Sequence, residues 1–558
     1  MRFLFARFSG CMPYMENGRK AGITMDDDKR VYLYDSTLRD GAQTQGVNFS
    51  AQDKIIIAQA LDALGIDYIE GGWPGANPTD DAFFAHPPRL TRARLTAFGM
   101  TRRAGRSAEN DPGLQALLQT EARLVTLVGK SWDFQAEVAL GVDLDENVRM
   151  IADSIRLAAT RMDEAMFDAE HFFDGYKENA DYAIKCVKAA YDAGARWVVL
   201  CDTNGGTLPH EITEIITAVT QHVPGSHLGI HCHNDTENAV ANSLAAVRAG
   251  VRQVQGALNG LGERCGNANL MSIIPSLMLK MGYQTGLTDK DLQRLTHVSR
   301  LLDDRLNRAP AANAAYVGAS AFAHKGGLHV SAVAKAPRTY EHVPPETVGN
   351  QRNILVSDQA GRSNLLARFD EIGLNIDPKH PKIPQVLDRV KEAEGKGYSY
   401  DGAEASFELL ARQILETVPA YYDLQSYRVI DERRFNAKGA LVTQSEASLR
   451  VAVNGTAYFE VAEGDGPVDA LNKALRKVLE KVYPALGELQ LADYKVRILS
   501  PDLATAAITR VIMECSDASG HRWSTVGVDK DVINASYNAL HDSITYMLLK
   551  HGVPSLHC

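Results

Sequence analysis

The chain has 558 residues, enough for two or three domains with a full hydrophobic core each. Its 45% apolar and 23% charged residues are ordinary for a globular protein. The balance of 59 basic against 69 acidic side chains gives −10 with no long basic run, which argues against a nucleic-acid partner.

Residues 1–29 open with MRFLFARFSG, where Arg7 interrupts an apolar run already too short for a signal peptide. They read as a disordered N-terminal extension, with Met25 an alternative start. No stretch reaches the roughly 18 apolar residues of a membrane span. The seven cysteines are scattered singly, without a CxxC pair, as expected of reduced thiols in the cytoplasm.

From residue 31 short apolar runs recur at 31–35, 67–72, 94–100, 123–129, 165–171, 197–203, 227–233 and 251–258. Helical patterns separate them, such as SAQDKIIIAQALDALG (50–65), where Ser50 can cap and Gly65 can terminate. Strands alternating with helices imply right-handed βαβ units and a parallel sheet. Eight units over residues 30–300 predict a (β/α)₈ TIM barrel. A doubly wound sheet is the alternative, but no GxGxxG opens the first helix.

A barrel of this kind carries its chemistry at the C-terminal ends of the strands. Collecting those ends gives Arg39-Asp40, Lys130-Ser131, Asp168 with Glu170, Asp202-Thr203, and His231 with His233. The loop NGLGERCGNANL (259–270) follows strand eight. Within HCHND (231–235), His231 and His233 project to one side of a strand while Cys232 points away. Two imidazoles and the Asp40 carboxylate make an N/O site suited to a divalent ion with open positions. The same donors would fit an iron oxygenase, but those sites usually occupy small β-barrels.

DSTLRDGAQ (35–43), HCHND and GERCGNANL (262–270) resemble the acyl-CoA-condensing aldolases of the 2-isopropylmalate, homocitrate and citramalate synthase family. The resemblance covers nearly all of the chain after residue 30. GGWPGANPTDDAFF (71–84) looks most like the citramalate synthase branch. What it implies is condensation of acetyl-CoA with a 2-keto acid, pyruvate first and 3-methyl-2-oxobutanoate as alternative, in isoleucine biosynthesis. Asp40, His231, His233 and Asn267 match the family's ligands for a divalent ion (Mg, Mn or Zn). Arg39 would stabilise the developing alkoxide, Thr203 would hold the keto-acid carboxylate, and Glu170 matches a catalytic glutamate. Thr203 alone would read as a helix cap. Asp168 lies on the same strand face as Glu170, and mutual repulsion would lift one of the two; relatives commonly differ at Asp168. Trp73 would narrow the acceptor pocket. His329 and Tyr340, in AFAHKGGLHVSAV (321–333) and TYEHVPPETVG (339–349), match residues that serve proton transfer in a partner subunit's site, which presupposes a homodimer. A related lyase with a loop cysteine, here Cys265, and a non-catalytic amino-acid sensor are the other classes.

Residues 301–424 read as helical linker subdomains, with 376–400 a Pro-, Lys- and Gly-bearing connector. Over 425–558 the pattern strand, turn, strand, amphipathic helix occurs twice, with VDALNKAL (468–475) against INASYNAL (533–540). This small α+β unit resembles the family's C-terminal regulatory domain. The resemblance implies isoleucine as feedback inhibitor, with Val461, Val526 and Val528 expected to line its pocket.

Overall fold

The computed structural model describes residues 29–354, 362–374, 376–400, 402–416, 418–435, 437–499 and 507–555. Of the expected N-terminal extension, residues 1–28 lie outside the described residues. Eight parallel strands close into a barrel: β1 (Tyr32–Asp35), β2 (Tyr68–Gly72), β3 (Arg94–Met100), β4 (Leu124–Lys130), β5 (Glu164–Glu170), β6 (Trp197–Asp202), β7 (Leu228–Cys232) and β8 (Gln253–Gly256). Tyr32 of β1 stands opposite Gln253 of β8 and closes the ring. The expected TIM barrel is present, and its strands fall where the apolar runs predict.

Local chemistry sets the connections. Helix Ala51–Leu64 starts at Ser50, whose hydroxyl accepts from the Asp53 N–H while the Asp53 carboxylate accepts from the Ser50 N–H. It stops at Gly65, which takes φ 103°, a conformation that costs a glycine nothing.

Every second strand residue faces the barrel interior, which changes character along its axis. Near the N-terminal end Tyr34, Tyr68, Leu124, Met166, Trp197 and Val199 pack into a dry plug. Each such side chain contributes on the order of 2–3 kcal/mol by leaving water. Trp197 Nε1 donates to the Tyr68 hydroxyl at 3.1 Å, so the one polar edge of that indole is satisfied. Two residues further along these inward rows stand Glu70, Thr126, Asp168, His231 and Gln255, all buried. Within one layer the interior passes from aromatic to ionic.

Ala319–Pro345 and the chain from Gln351 onward form a second compact unit. The stretch expected as a connector contains a helix, Ile383–Gly395. Ile383, Val386, Val390 and Ala393 recur at helical spacing on its buried face, and Pro384 sits in the first turn, where proline is tolerated.

The C-terminal duplication is present and larger than the sequence suggests. Each repeat is three antiparallel strands and a helix: Asp423–Phe435, Leu441–Val453, Thr456–Gly464 and Pro467–Val482, then Gln490–Ile498, Thr509–Ser516, Arg522–Asp529 and Val532–Lys550. The leading strand of each repeat is largely exposed and so shows no apolar alternation to read. The three valines expected to share one wall do not. Val526 and Val528 pack with Phe369, Val386 and Phe407, whereas Val461 is exposed. No helix among the described residues is long and apolar enough to cross a membrane.

Candidate active site

The strand ends converge on a cavity of about 290 Å³ lined by Arg39, Asp40, Trp73, Asp168, Glu170, Thr203, His231 and His233 among others. Asp40 lies just past β1, and its Oδ2 is 3.2 Å from His231 Nε2 and 3.9 Å from His233 Nε2. The two imidazoles stand 5.2 Å apart, centre to centre. All three groups are buried, and one donor atom from each falls within 4.8 Å of the others. Burial opposes charge on Asp40, but Arg39 and the two imidazoles hold its carboxyl well below the usual carboxylate range. Burial, then the neighbouring His231, push His233 down to about 4, which leaves it a neutral imidazole near pH 7.

These residues fit a divalent cation. The donors are two nitrogens and a carboxylate oxygen, the set expected for such an ion. Two further buried atoms at the site, His233 Nδ1 and Asn267 Oδ1, have no hydrogen-bond partner. Asn267, matched to a fourth ligand, turns its amide nitrogen to Asp40 Oδ2 at 2.9 Å. Rotating that amide by half a turn would offer its oxygen instead.

Arg39 is held on three sides. Its Nε donates to Glu70 Oε2 at 2.8 Å, its Nη1 lies 3.5 Å from Asp40 Oδ2, and its guanidinium carbon sits 3.9 Å from the centre of the Phe98 ring. Glu70 also accepts from the Tyr34 hydroxyl at 2.7 Å. Sequence reasoning missed Glu70; a carboxylate two residues after inward-facing Tyr68 was the available signal.

Asp168 and Glu170 face the cavity, but not as a repelling pair. Burial first and Glu70 second push Asp168 up to about 7, and Glu170 is ion-paired with Lys130. The expected lift of one carboxyl is seen at Asp168, but its leading causes are burial and Glu70 rather than Glu170, which sits against the Lys130 ammonium. Thr203 is no helix cap, because the helix after β6 is Pro209–Val219 with Leu208 at its N-cap. Its hydroxyl accepts from the His171 N–H at 2.8 Å, leaving its own proton to donate.

Trp73 is placed by a close approach. Gly72 takes φ +145°, and a Cβ there would meet the Asp80 carboxylate at 2.4 Å. Asp80, itself ion-paired with Lys54, accepts from the Trp73 N–H at 2.7 Å. The indole then meets Phe98 edge-on at 5.6 Å. His329 and Tyr340 belong to the second unit and are absent from the cavity lining; they are exposed and stack on each other at 4.1 Å.

Fold and rim together define a barrel enzyme of the HMGL-like class, whose family model matches residues 30–302. A homocitrate synthase post-HMGL domain-like model matches 316–397, and a LeuA allosteric (dimerisation) domain model matches 401–548. An (R)-citramalate synthase of Aquifex aeolicus is 50% identical over 94% of this chain and 98% of its own length. One from Geobacter sulfurreducens is 51% identical over 93% and 98%. A probable 2-isopropylmalate synthase of Methanopyrus kandleri is more distant, 31% identical over 91% and 97%. The chain belongs to the (R)-citramalate synthase family.

Proposed function

We propose that this barrel joins the methyl carbon of acetyl-CoA to the ketone carbon of pyruvate and then hydrolyses the thioester, giving citramalate and free CoA. One water is consumed, and the carboxylate formed releases a proton. The observation that carries this reading is the buried triad of Asp40, His231 and His233 beside the locked guanidinium of Arg39. A divalent ion (Mg, Mn or Zn) held by Asp40, His231, His233 and a rotated Asn267 would supply Lewis acidity to the keto acid. Arg39 then meets the oxygen that gains charge as the new bond forms, without reorganising, because Glu70 and Phe98 have already fixed it. The Thr203 hydroxyl donates to the keto-acid carboxylate. Glu170, at the rim end of β5, takes the proton from the acetyl methyl group.

His329 and Tyr340 complete the site of a second subunit in a homodimer, supported by their exposed stacking and by the dimerisation-domain match. Isoleucine is the feedback inhibitor in this reading, and the pathway is that of isoleucine. Between the two C-terminal repeats lies a mostly apolar cavity of about 260 Å³ lined by Val468, Leu489, Leu491, Met513 and Leu540. Asp469 and Arg476 on its wall suit the two charged ends of an aliphatic amino acid, and Asn472 Oδ1 is buried there without a partner. A cytoplasmic location fits the five cysteines that stand free among the described residues.

The deciding assay is CoA-thiol release from acetyl-CoA with a panel of 2-keto acids, with and without a chelator. Pyruvate-dependent release, abolished by chelation, is expected. Equal release without any keto acid would end the condensing role.

A further inference from the structure

Behind the triad, on the inward row of β8, Gln255 is fully buried and joins two strands through its amide. Its Nε2 donates to Asp168 Oδ1 at 3.1 Å, and its Oε1 faces His231 Nδ1 at 2.9 Å. The two contacts are not independent. At pH 8, where Asp168 is ionised, its oxygens only accept, so Asp168 draws the amide nitrogen and the amide oxygen is left for His231. A ring nitrogen opposite an acceptor must carry a proton, so Nδ1 of His231 is the N–H. That leaves Nε2, the atom 3.2 Å from Asp40 Oδ2, as the nitrogen free to ligate. His233 has no such support, for its Nδ1 is buried without a partner.

We propose that Gln255 and Asp168 are positioning residues for His231: Asp168 fixes which way the Gln255 amide faces, and the amide fixes which His231 nitrogen is presented to the cation. This rests on reading the triad as a metal site. Two properties of the setting suit an amide here. Asp40, Glu70 and Asp168 already place three carboxyl groups around the ring and guanidinium, and a neutral acceptor adds none. An amide also keeps an acceptor oxygen at every pH at which the protein is folded.

The test uses full-length protein, Zn²⁺ as probe and pH 8. In protein labelled with ¹⁵N in its histidine rings, one ring is expected to keep Nδ1 protonated both with and without Zn²⁺, while its Nε2 resonance moves on adding the ion. Calorimetric titration is expected to show Zn²⁺ bound 10–100-fold more weakly by Gln255→Met, which keeps the length of the side chain and removes the acceptor. Gln255→Glu, which restores an acceptor, should recover most of that loss. Wild-type protein that takes up no Zn²⁺ would overturn the metal reading and the proposal with it. Zn²⁺ bound equally well by a folded Gln255→Met would overturn the proposal alone. So would a Zn²⁺-responsive ring with Nδ1 unprotonated in the wild type, a measurement that requires no variant to fold.

Discussion

Glu70 and Arg39 form an ion pair at 2.8 Å in which the carboxylate is completely buried and the guanidinium nearly so. The pair explains why a strand end in this sequence carries Arg next to Asp: the guanidinium reaches back into the barrel as well as across to Asp40. Removing one partner of a buried pair strands the other charge, at a cost of about 3–5 kcal/mol. Glu70→Ala should therefore lower the melting temperature and abolish turnover. Glu70→Gln, which still accepts a hydrogen bond, should fold and lose mainly kcat, by roughly 10–100-fold. A Glu70→Gln enzyme with wild-type kcat would show that Arg39 needs no anchor.

His233→Ala and Asp40→Ala should lose metal binding and activity together. Each removes one of three or four donors and with it the fixed open geometry. Metal content by elemental analysis and thiol release, measured on the same preparations, check this. Unchanged values in both variants would remove the site.

Acceptor choice should favour pyruvate over 3-methyl-2-oxobutanoate. Trp73, pinned through Asp80 and edge-on to Phe98, lines the cavity, and on the proposed function its indole would take space that a branched side chain needs. Discrimination of about 1–3 kcal/mol per extra carbon is typical of an apolar pocket. Trp73→Ala should shrink the kcat/KM ratio between the two acids at least tenfold. A wild-type enzyme that prefers the branched acid would make this a 2-isopropylmalate synthase.

The metal-free protein should be less stable at pH 8 than at pH 6.5. Burial pushes Asp35 up to about 7 against hydrogen bonds from Thr37, and pushes Asp168 to about 7 with Glu70 adding to it. Both values lie above the roughly 3.9 of an unfolded Asp, so the folded barrel holds protons that the unfolded chain releases. That stability is full below about pH 4 and is lost as pH rises through 7. His231, raised by Asp40 against the effect of burial, has the same sign. His233, down at about 4 against roughly 6.5 unfolded, has the opposite sign, but most of its loss falls below pH 6.5. Between pH 6.5 and 8 each of the two carboxyls should cost about 1 kcal/mol. Urea unfolding followed by tryptophan fluorescence reads the difference, and Asp35→Asn should remove its share of it. A rise in stability toward pH 8 would contradict the assignment.

Isoleucine should bind the full-length protein in calorimetry and slow thiol release, and Arg476→Leu or Asn472→Leu should abolish both effects while leaving uninhibited turnover intact. A coupling of about 1–3 kcal/mol between effector and substrate sites suffices. An enzyme indifferent to millimolar isoleucine would leave the C-terminal repeats with a dimerisation role only.

The barrel was legible because its strands are buried on both faces and read as short apolar runs between helical patterns. The rim was legible because charged residues such as Arg39 and Asp40 stand directly after such runs. Gln255 and Glu70 were not, since their roles depend on strands 24 and 31 residues away meeting His231 and Arg39 in space. The direction of the Asn267 amide is likewise a matter of what it faces, not of its position in GERCGNANL. His329 and Tyr340 had no local signal at all; resemblance alone singled them out. The leading strands of the two C-terminal repeats were hidden by their exposure.

The aromatic plug of Tyr34, Tyr68 and Trp197 fills the N-terminal part of the barrel interior, so the cavity at the strand ends opens away from it. With entry by that open end, whatever lies deepest enters first and departs last. On the proposed function, a keto acid held near Asp40 and His231 would be covered by the incoming thioester, and the hydroxy acid made from it would wait behind CoA. Traffic through that end would impose a queue, and product-inhibition kinetics would display it as an ordered sequence with CoA leaving ahead of the acid.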